Sequence, residues 1–419
     1  MAVLLYVDDQ RLSTPSVVGW CARIRAMSAP TITVSEQAAK RLRNYDCWVF
    51  QDELPHPDSS LPPGEIVEVV DRDGAFVAYA FYNPRSHIAL RSVSLCAEEP
   101  IDRSLIARRL ARAIARRRAL TGTTARRLVF SEADGLPGLV VDQYAEYLVI
   151  QIRSAGMDRL RPILIETLRE ALQPKGILER SDKEFREEEG LQPFTQLLSG
   201  EVPERILIEE EGLRFWVDPH RGLKTGFYLD QRQTRRRLRE LVQPAQRVLD
   251  TFSYTGSLGI VAASRGAQVV CVEQHEPFLE LAKDNAKLNG VSDRIEWVAG
   301  DAFYWLPAQA TADARVDWVI LDPPSLAKTK SQLTQGRQAL HHLLVHALAL
   351  LAPEGRLLLS MCSYHLLGLV EEIVRIAAAK QAMRLCVREQ WLQAEDHPWI
   401  LQIPPTRYLT SWCVARDGR

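Results

Sequence analysis

The sequence is short of several features, and each shortage excludes a class of protein. No long apolar stretch runs free of charge, which argues against a membrane span. The first residues, MAVLLYVDDQRLSTP, have no basic n-region and meet Asp8 and Asp9 too early for a signal peptide, so no secretory leader is expected. The 7 cysteines (Cys21, Cys47, Cys96, Cys271, Cys362, Cys386 and Cys413) are odd in number, scattered and never spaced CxxC. That pattern speaks against a disulfide framework or a zinc ribbon, predicts no metal site, and fits a reducing, cytoplasmic interior. Net charge is missing as well: 52 Lys+Arg against 53 Asp+Glu leave a formal charge of −1. With 46% hydrophobic and 25% charged residues, the chain is too apolar to be wholly disordered. Its 419 residues predict two or three domains at about 150 residues each.

Charge is present but unevenly spread. Arg103, Arg108, Arg109, Arg112, Arg116, Arg117, Arg118, Arg126 and Arg127 crowd one stretch, and Arg232, Arg235, Arg236, Arg237 and Arg239 form a second. Either run alone reads as a solvated helix face, whereas two runs flanking one domain predict a polyanionic partner.

Residues 1–30 show no period and read as a variable extension. From Ile32, a short helix and a strand (VSEQAAKRLRNYDCWVF) lead to EIVEVVD and AFVAYAFYN, joined by the Asp73-Gly74 turn of a β-hairpin. SHIALRSVSL adds a strand, giving a small β-rich module over 31–98. An Arg-rich amphipathic helix opens an α+β unit over 99–200, which continues as three strands, a second helix and the strand GILERSD. From 201 to 419 the chain reads as one α/β domain. The strands RVLDTF, QVVCVE, RIEWVAG, DWVILD and RLLLSMC alternate with helices, which predicts a doubly wound parallel sheet. MRLCVREQW and RYLTSWCVAR have no helix between them and are expected to pair antiparallel at the edge.

Ligands of such sheets sit beyond the carboxyl ends of the strands. The first turn, VLDTFSYTGSLG, places Asp250, Phe252, Tyr254, Thr255, Gly256 and Ser257 there but has no GxGxxG, so a dinucleotide is not the natural ligand. Glu273 ends the second strand, where a carboxylate can accept both hydroxyls of a ribose, and Asp301 follows the third. Acids after three successive strands suit a cationic nucleoside, and S-adenosylmethionine fits that description. Each acid alone also reads as a helix N-cap or a solvated turn. Asp322-Pro323-Pro324-Ser325 ends the fourth strand in a rigid loop able to hold Asp322 toward a planar base, or reads simply as a strand terminator. Cys362 ends the fifth strand on the same rim. A thiolate there, with a lowered pKa, can attack C6 of an extruded cytosine and make C5 nucleophilic toward a sulfonium methyl group. Before the first strand lies LKTGFYLDQR, in which Phe227 and Tyr228 are expected to pack on an adenine and Arg232 to meet an acid or phosphate; core aromatics on a helix approach are the plainer reading.

DCWVF, EADGLPGLVVDQY, RSD, EEGL, LKTGFYLDQR, LDTFSYTGSLG, LDPPSLAKTKSQL, SMCS and EDHPWI occur in this order between residues 32 and 419. Together they resemble the ribosomal RNA large subunit methyltransferase I family, S-adenosylmethionine-dependent enzymes that make 5-methylcytosine in large-subunit (23S) ribosomal RNA. The resemblance implies a PUA RNA-binding domain over 31–98, a small α+β domain over 99–200, and a class I methyltransferase domain over 201–419. It implies that Asp250, Tyr254, Gly256, Glu273, Asp301 and Asp322 line the cofactor pocket, that Gln231 and Arg232 belong to a covering segment, and that Cys362 is the nucleophile. Pairing into homodimers is implied too. The chain departs from the family at Met361, which stands for a serine, and at Tyr364 and His365, which stand where glycine and leucine are frequent. Two alternatives stay open from the residues: methyl transfer to a nitrogen such as guanine's, with Cys362 a bystander, and a non-catalytic RNA-binding protein.

Overall fold

Backbone pairing sorts the strands into three sheets and a hairpin. In the computed structural model, residues 29–182, 185–310 and 315–417 are described; of the extension expected over 1–30, residues 1–28, with Cys21, lie outside them. The amino-terminal sheet holds β1 (Thr31–Thr33), β2 (Trp48–Phe50), β3 (Glu65–Val70), β4 (Phe76–Tyr82) and β5 (Ile88–Ser94) in the order β1-β3-β4-β5-β2. Alternation sets its inner face: Val67, Val69, Ala78 and Ala80 are buried with Leu42 of the helix Glu36–Arg43. At the predicted hairpin turn Gly74 takes φ 81°, a conformation glycine adopts freely.

The second sheet contains β6 (Ala125–Phe130), β7 (Leu139–Tyr144), β8 (Tyr147–Ile152), β9 (Gly176–Ser181) and β10 (Phe194–Gly200), in the order β10-β9-β8-β7-β6. The helices Arg103–Arg116 and Arg161–Leu172 cover one face. β10 was not foreseen. It is a largely exposed edge strand, and FTQLLSG shows no alternation; its hydrogen bonds to β9 alone make it a strand.

The hairpin β11 (Ile206–Glu210) and β12 (Leu213–Val217) packs on the last domain. That domain's sheet combines β13 (Arg247–Thr251), β14 (Gln268–Glu273), β15 (Ile295–Ala299), β16 (Val316–Leu321), β17 (Leu351–Met361), β18 (Leu385–Leu392) and β19 (Thr410–Arg416). Their order is β15-β14-β13-β16-β17-β19-β18; the first five are parallel, and β19 runs antiparallel to both neighbours. The edge hairpin is thus present, but its second strand lies inside its first. Two apolar clusters, one on each face, make this a doubly wound α/β domain. The order reverses between β13 and β16, which places a ligand crevice at their carboxyl ends.

The arginine runs do not line an open basic surface. Arg103 pairs with Glu166 and Glu170, Arg108 with Glu99, Arg117 with Asp134 and Arg127 with Asp142. In the second run Arg235 pairs with Glu210, Arg236 with Glu211 and Arg237 with Glu389. Even consecutive arginines such as Arg235, Arg236 and Arg237 reach acids of different parts of the fold, which a linear charge count does not register. Among the described residues no helix is long and apolar enough to cross a membrane.

Candidate active site

From Thr251 the chain turns through Phe252 and Tyr254 with φ of 59° and 51°, then Gly256 at 77° opens the helix Ser257–Ser264. The left-handed region costs a non-glycine residue about 1 to 3 kcal/mol, so neighbouring groups must hold this turn. The Ser253 amide donates to Val272 O at 3.0 Å, and the Tyr254 amide to Glu273 Oε2 at 2.9 Å. The Tyr254 hydroxyl donates to Gly226 O and accepts from the Leu223 amide, both at 2.9 Å. Glu273 Oε1 accepts from the His275 amide at 2.9 Å and lies 2.8 Å from its Nδ1. Beyond β15, Asp301 Oδ1 accepts from the Phe303 amide at 2.9 Å as the helix Ala302–Ala310 begins.

The opposite wall comes from outside the strands. Gln231 Nε2 donates to Asp322 Oδ2 at 2.8 Å. Lys224, itself at φ 57°, pairs with Asp230, which also accepts from the Tyr408 hydroxyl at 2.6 Å. Ser363 Oγ accepts from the Leu326 amide at 2.8 Å and sits 3.1 Å from Ser325 Oγ, tying the Asp-Pro-Pro-Ser loop to the end of β17. The cleft, about 370 Å³, is lined by Gln231, Phe252, Tyr254, Ser257, Glu273, Asp301, Asp322 and Cys362 among others.

Burial dominates its electrostatics. It pushes the Asp322 carboxyl up to about 7, reinforced by the Asp230 charge and opposed by Lys224 and the Gln231 hydrogen bond. Asp250 rises to about 8 for the same first reason, against the hydrogen bond from the Gly259 amide. Burial also raises the Cys362 thiol, to about 11, with Lys224 pulling it down and Asp322 and Asp230 pushing it up. The lowered thiol pKa expected from sequence is therefore not found; burial raises it instead. Asp230 behaves oppositely: burial would raise it, but the charges of Lys224 and His397 and two hydrogen bonds hold it well below the usual carboxylate range.

Four predicted residues and Phe227 fall outside the lining. Asp250 lies beneath the turn, with Oδ2 accepting from the Gly259 amide at 2.9 Å. Thr255 and Gly256 form the turn's inner side: Asn285 Nδ2 donates to Thr255 O at 3.2 Å, and a Cβ on Gly256 would lie 3.1 Å from Ala282 Cβ. Arg232 faces away into the protein, 2.9 Å from both Glu210 Oε2 and Asp396 Oδ2, and also donates to Ala125 O at 2.7 Å. One position along the helix from Gln231 turns a side chain by about 100°, which sends Arg232 into the core. Phe227 packs on Phe215, 5.4 Å between ring centroids, instead of facing a ligand; Tyr228 does line the cleft. Sequence reasoning missed Tyr408, His275 and the Lys224–Asp230 pair. LKTGFYLDQR contained the last, whereas nothing local to Tyr408 marked it.

The cleft suits a nucleoside cofactor. Gln231 Oε1 and Ser253 Oγ on its wall are buried without a hydrogen-bond partner, and the Glu273 and Asp301 carboxylates are oriented by backbone amides. This rim of acids on a sheet of order β15-β14-β13-β16-β17-β19-β18 defines a class I S-adenosylmethionine-dependent methyltransferase, here carrying a PUA-like domain. Family profiles agree: S-adenosylmethionine-dependent methyltransferase over residues 187–394 and PUA-like domain over 32–95. Two solved structures of candidate methyltransferases, one complexed with S-adenosylhomocysteine and one from Streptococcus mutans, share the fold. Their TM-scores are 0.81 and 0.80, each at 21% identity and covering 92% of this chain and 100% of the other. A ribosomal RNA large subunit methyltransferase I of Aliivibrio fischeri is 36% identical over 389 residues, 91% of this chain and 98% of its own. The one of Shewanella amazonensis is 38% identical over 376 residues, 88% and 94% of the two chains. The chain belongs to the ribosomal RNA large subunit methyltransferase I family.

Proposed function

We propose that the protein methylates C5 of a cytosine in large-subunit ribosomal RNA, with Cys362 as a covalent nucleophile and Asp322 acting on the pyrimidine edge. The observation that carries this reading is the position of Cys362, whose thiol shares one cleft with Asp322, Glu273 and Asp301. Gln231, Phe252, Tyr254, Ser257, Glu273 and Asp301 would hold the cofactor, with Asp250, Thr255 and Gly256 shaping the turn beneath them. When bound, S-adenosylmethionine supplies an electrophilic methyl group and a positive charge that favours a thiolate. Cys362 loses its proton and its sulfur bonds C6 of the extruded base, moving the electron pair to C5. Asp322, whose carboxyl burial pushes up to about 7, is suited to hydrogen-bond the ring nitrogen as charge develops there. As the C5–methyl bond forms and the sulfonium–methyl bond breaks, C5 is left with one proton too many; its loss to solvent breaks the C6–sulfur bond and restores the ring, and the released Cys362 thiolate takes back a proton.

The ribosomal substrate comes from the relatives' names and the PUA-like domain. One observation favours a second reading, methyl transfer to a nitrogen: burial pushes the Cys362 thiol up to about 11, which favours its protonated form. A single pair of measurements separates the two. Cys362→Ala is expected to lower methyl transfer by about a thousandfold or more while S-adenosylhomocysteine binding persists. RNA carrying 5-fluorocytosine is expected to form an adduct stable on denaturing gels. Retained activity together with no adduct overturns the covalent reading.

A further inference from the structure

A second cavity, about 420 Å³, opens where all three units meet. The PUA-like domain contributes Trp48, the central unit Phe130, Glu132 and Arg153, and the catalytic domain Lys224 and Tyr408. Lys224 lines this cavity and the cofactor cleft, so the two adjoin through one side chain. Its walls combine aromatic faces with positive charge. Phe130 and Tyr408 lie 5.7 Å apart, and the Lys224 ammonium stands 5.6 Å from the Tyr408 ring centroid. Trp48 is held in place: its Nε1 donates to Glu132 Oε1 at 3.1 Å, and the Arg91 guanidinium lies 5.9 Å from its ring centroid. Arg127, Arg153, Lys224 and Glu132 are the charged lining, with Arg127 also paired to Asp142 and Lys224 to Asp230 behind the wall.

Aromatic faces beside cations suit an unstacked nucleobase followed by phosphate, the form in which single-stranded RNA is read. An occupant of this cavity is also placed for covalent continuity with a base at Cys362, because Lys224 lines both spaces and Tyr408 of the cavity donates to Asp230 of the cleft. We propose that the cavity is a nucleotide subsite, taking a residue of single-stranded RNA that flanks the target base. The inference rests on the RNA reading above and gives the PUA-like domain a part in orienting substrate through Trp48.

The test uses the full chain, a short fluorescein-labelled single-stranded RNA of mixed sequence, and anisotropy. Trp48→Ala is expected to weaken RNA binding about tenfold, the loss of one stacked base, and Trp48→Phe to recover most of it. S-adenosylhomocysteine affinity should not change in either. In the unaltered chain, photo-crosslinks from 4-thiouridine RNA should map to peptides containing Trp48 or Tyr408, a measurement that does not depend on any variant folding. Unchanged affinity in Trp48→Ala, crosslinks confined to other surfaces, or equal binding of duplex RNA overturns the subsite. Cys362→Ala should bind the same RNA like the parent, so failure of the covalent mechanism reads separately; no RNA binding by the parent fails both.

Discussion

Cys362 leaves the sheet between two side chains that define its direction. Met361 is packed in the apolar cluster behind β17, and Ser363 is turned into the Asp-Pro-Pro-Ser loop, leaving the intervening sulfur on the cleft side. Methionine at 361 therefore substitutes on the core face and leaves the cleft's polar groups as they are. The thiol's own chemistry yields a pH prediction. Burial raises its pKa to about 11, so the reactive thiolate is scarce at neutrality and increases with pH. Alkylation of Cys362 by iodoacetamide, followed on its peptide by mass spectrometry, should accelerate about tenfold per pH unit from 7 to 10 in the ligand-free protein. Lys224→Met removes the charge that pulls the thiol down and should slow the reaction at pH 8. A plateau below pH 8 in the parent would show a thiolate already formed.

The helix Arg232–Leu241 shows how one element serves structure where its sequence suggested ligand binding. Gln231, just before it, reaches Asp322, while Arg232 and Arg235 anchor the hairpin through Glu210 and Arg232 also reaches Asp396 near β19. Both arginines are buried; without Arg232, Glu210 keeps only Arg235 and Asp396 keeps His397 and the Arg127 amide, a loss of about 3 kcal/mol, the low end for breaking a buried ion pair. Arg232→Ala should lower the thermal unfolding midpoint by several degrees, while the folded fraction binds S-adenosylhomocysteine with parental affinity in calorimetry. Lost binding without lost stability would assign Arg232 to the cofactor after all. The stretches EADGLPGLVVDQY and EDHPWI act similarly: Asp134 is bonded to Arg117, Asp142 to Arg127, and Asp396 to Arg127 N and His397.

Across the molecule, the pairing of both arginine runs changes the expected response to salt. Fourteen unpaired arginines on RNA would give a very steep decline in affinity. With most of them committed to acids within the chain, about three phosphate contacts remain reasonable, and a log–log slope near −2 is expected for single-stranded RNA. Anisotropy titrations across a range of potassium chloride concentrations measure it; a slope steeper than about −5 would restore the arginine runs as phosphate contacts.

Order and chemistry were legible along the chain. Alternation of apolar residues, the Asp73-Gly74 turn and acids at strand ends marked the sheets, the parallel domain and most of the cleft, because strand period and turn conformation are local properties. Tertiary structure alone decided which side of a helix each arginine faced, that β10 would be a strand, and that Tyr408 would meet Asp230 across 178 positions. It also placed Trp48 and Lys224 on the walls of one cavity. Such outcomes depend on which distant groups share a buried space, and burial sets both the partners of a charge and the pKa of a thiol.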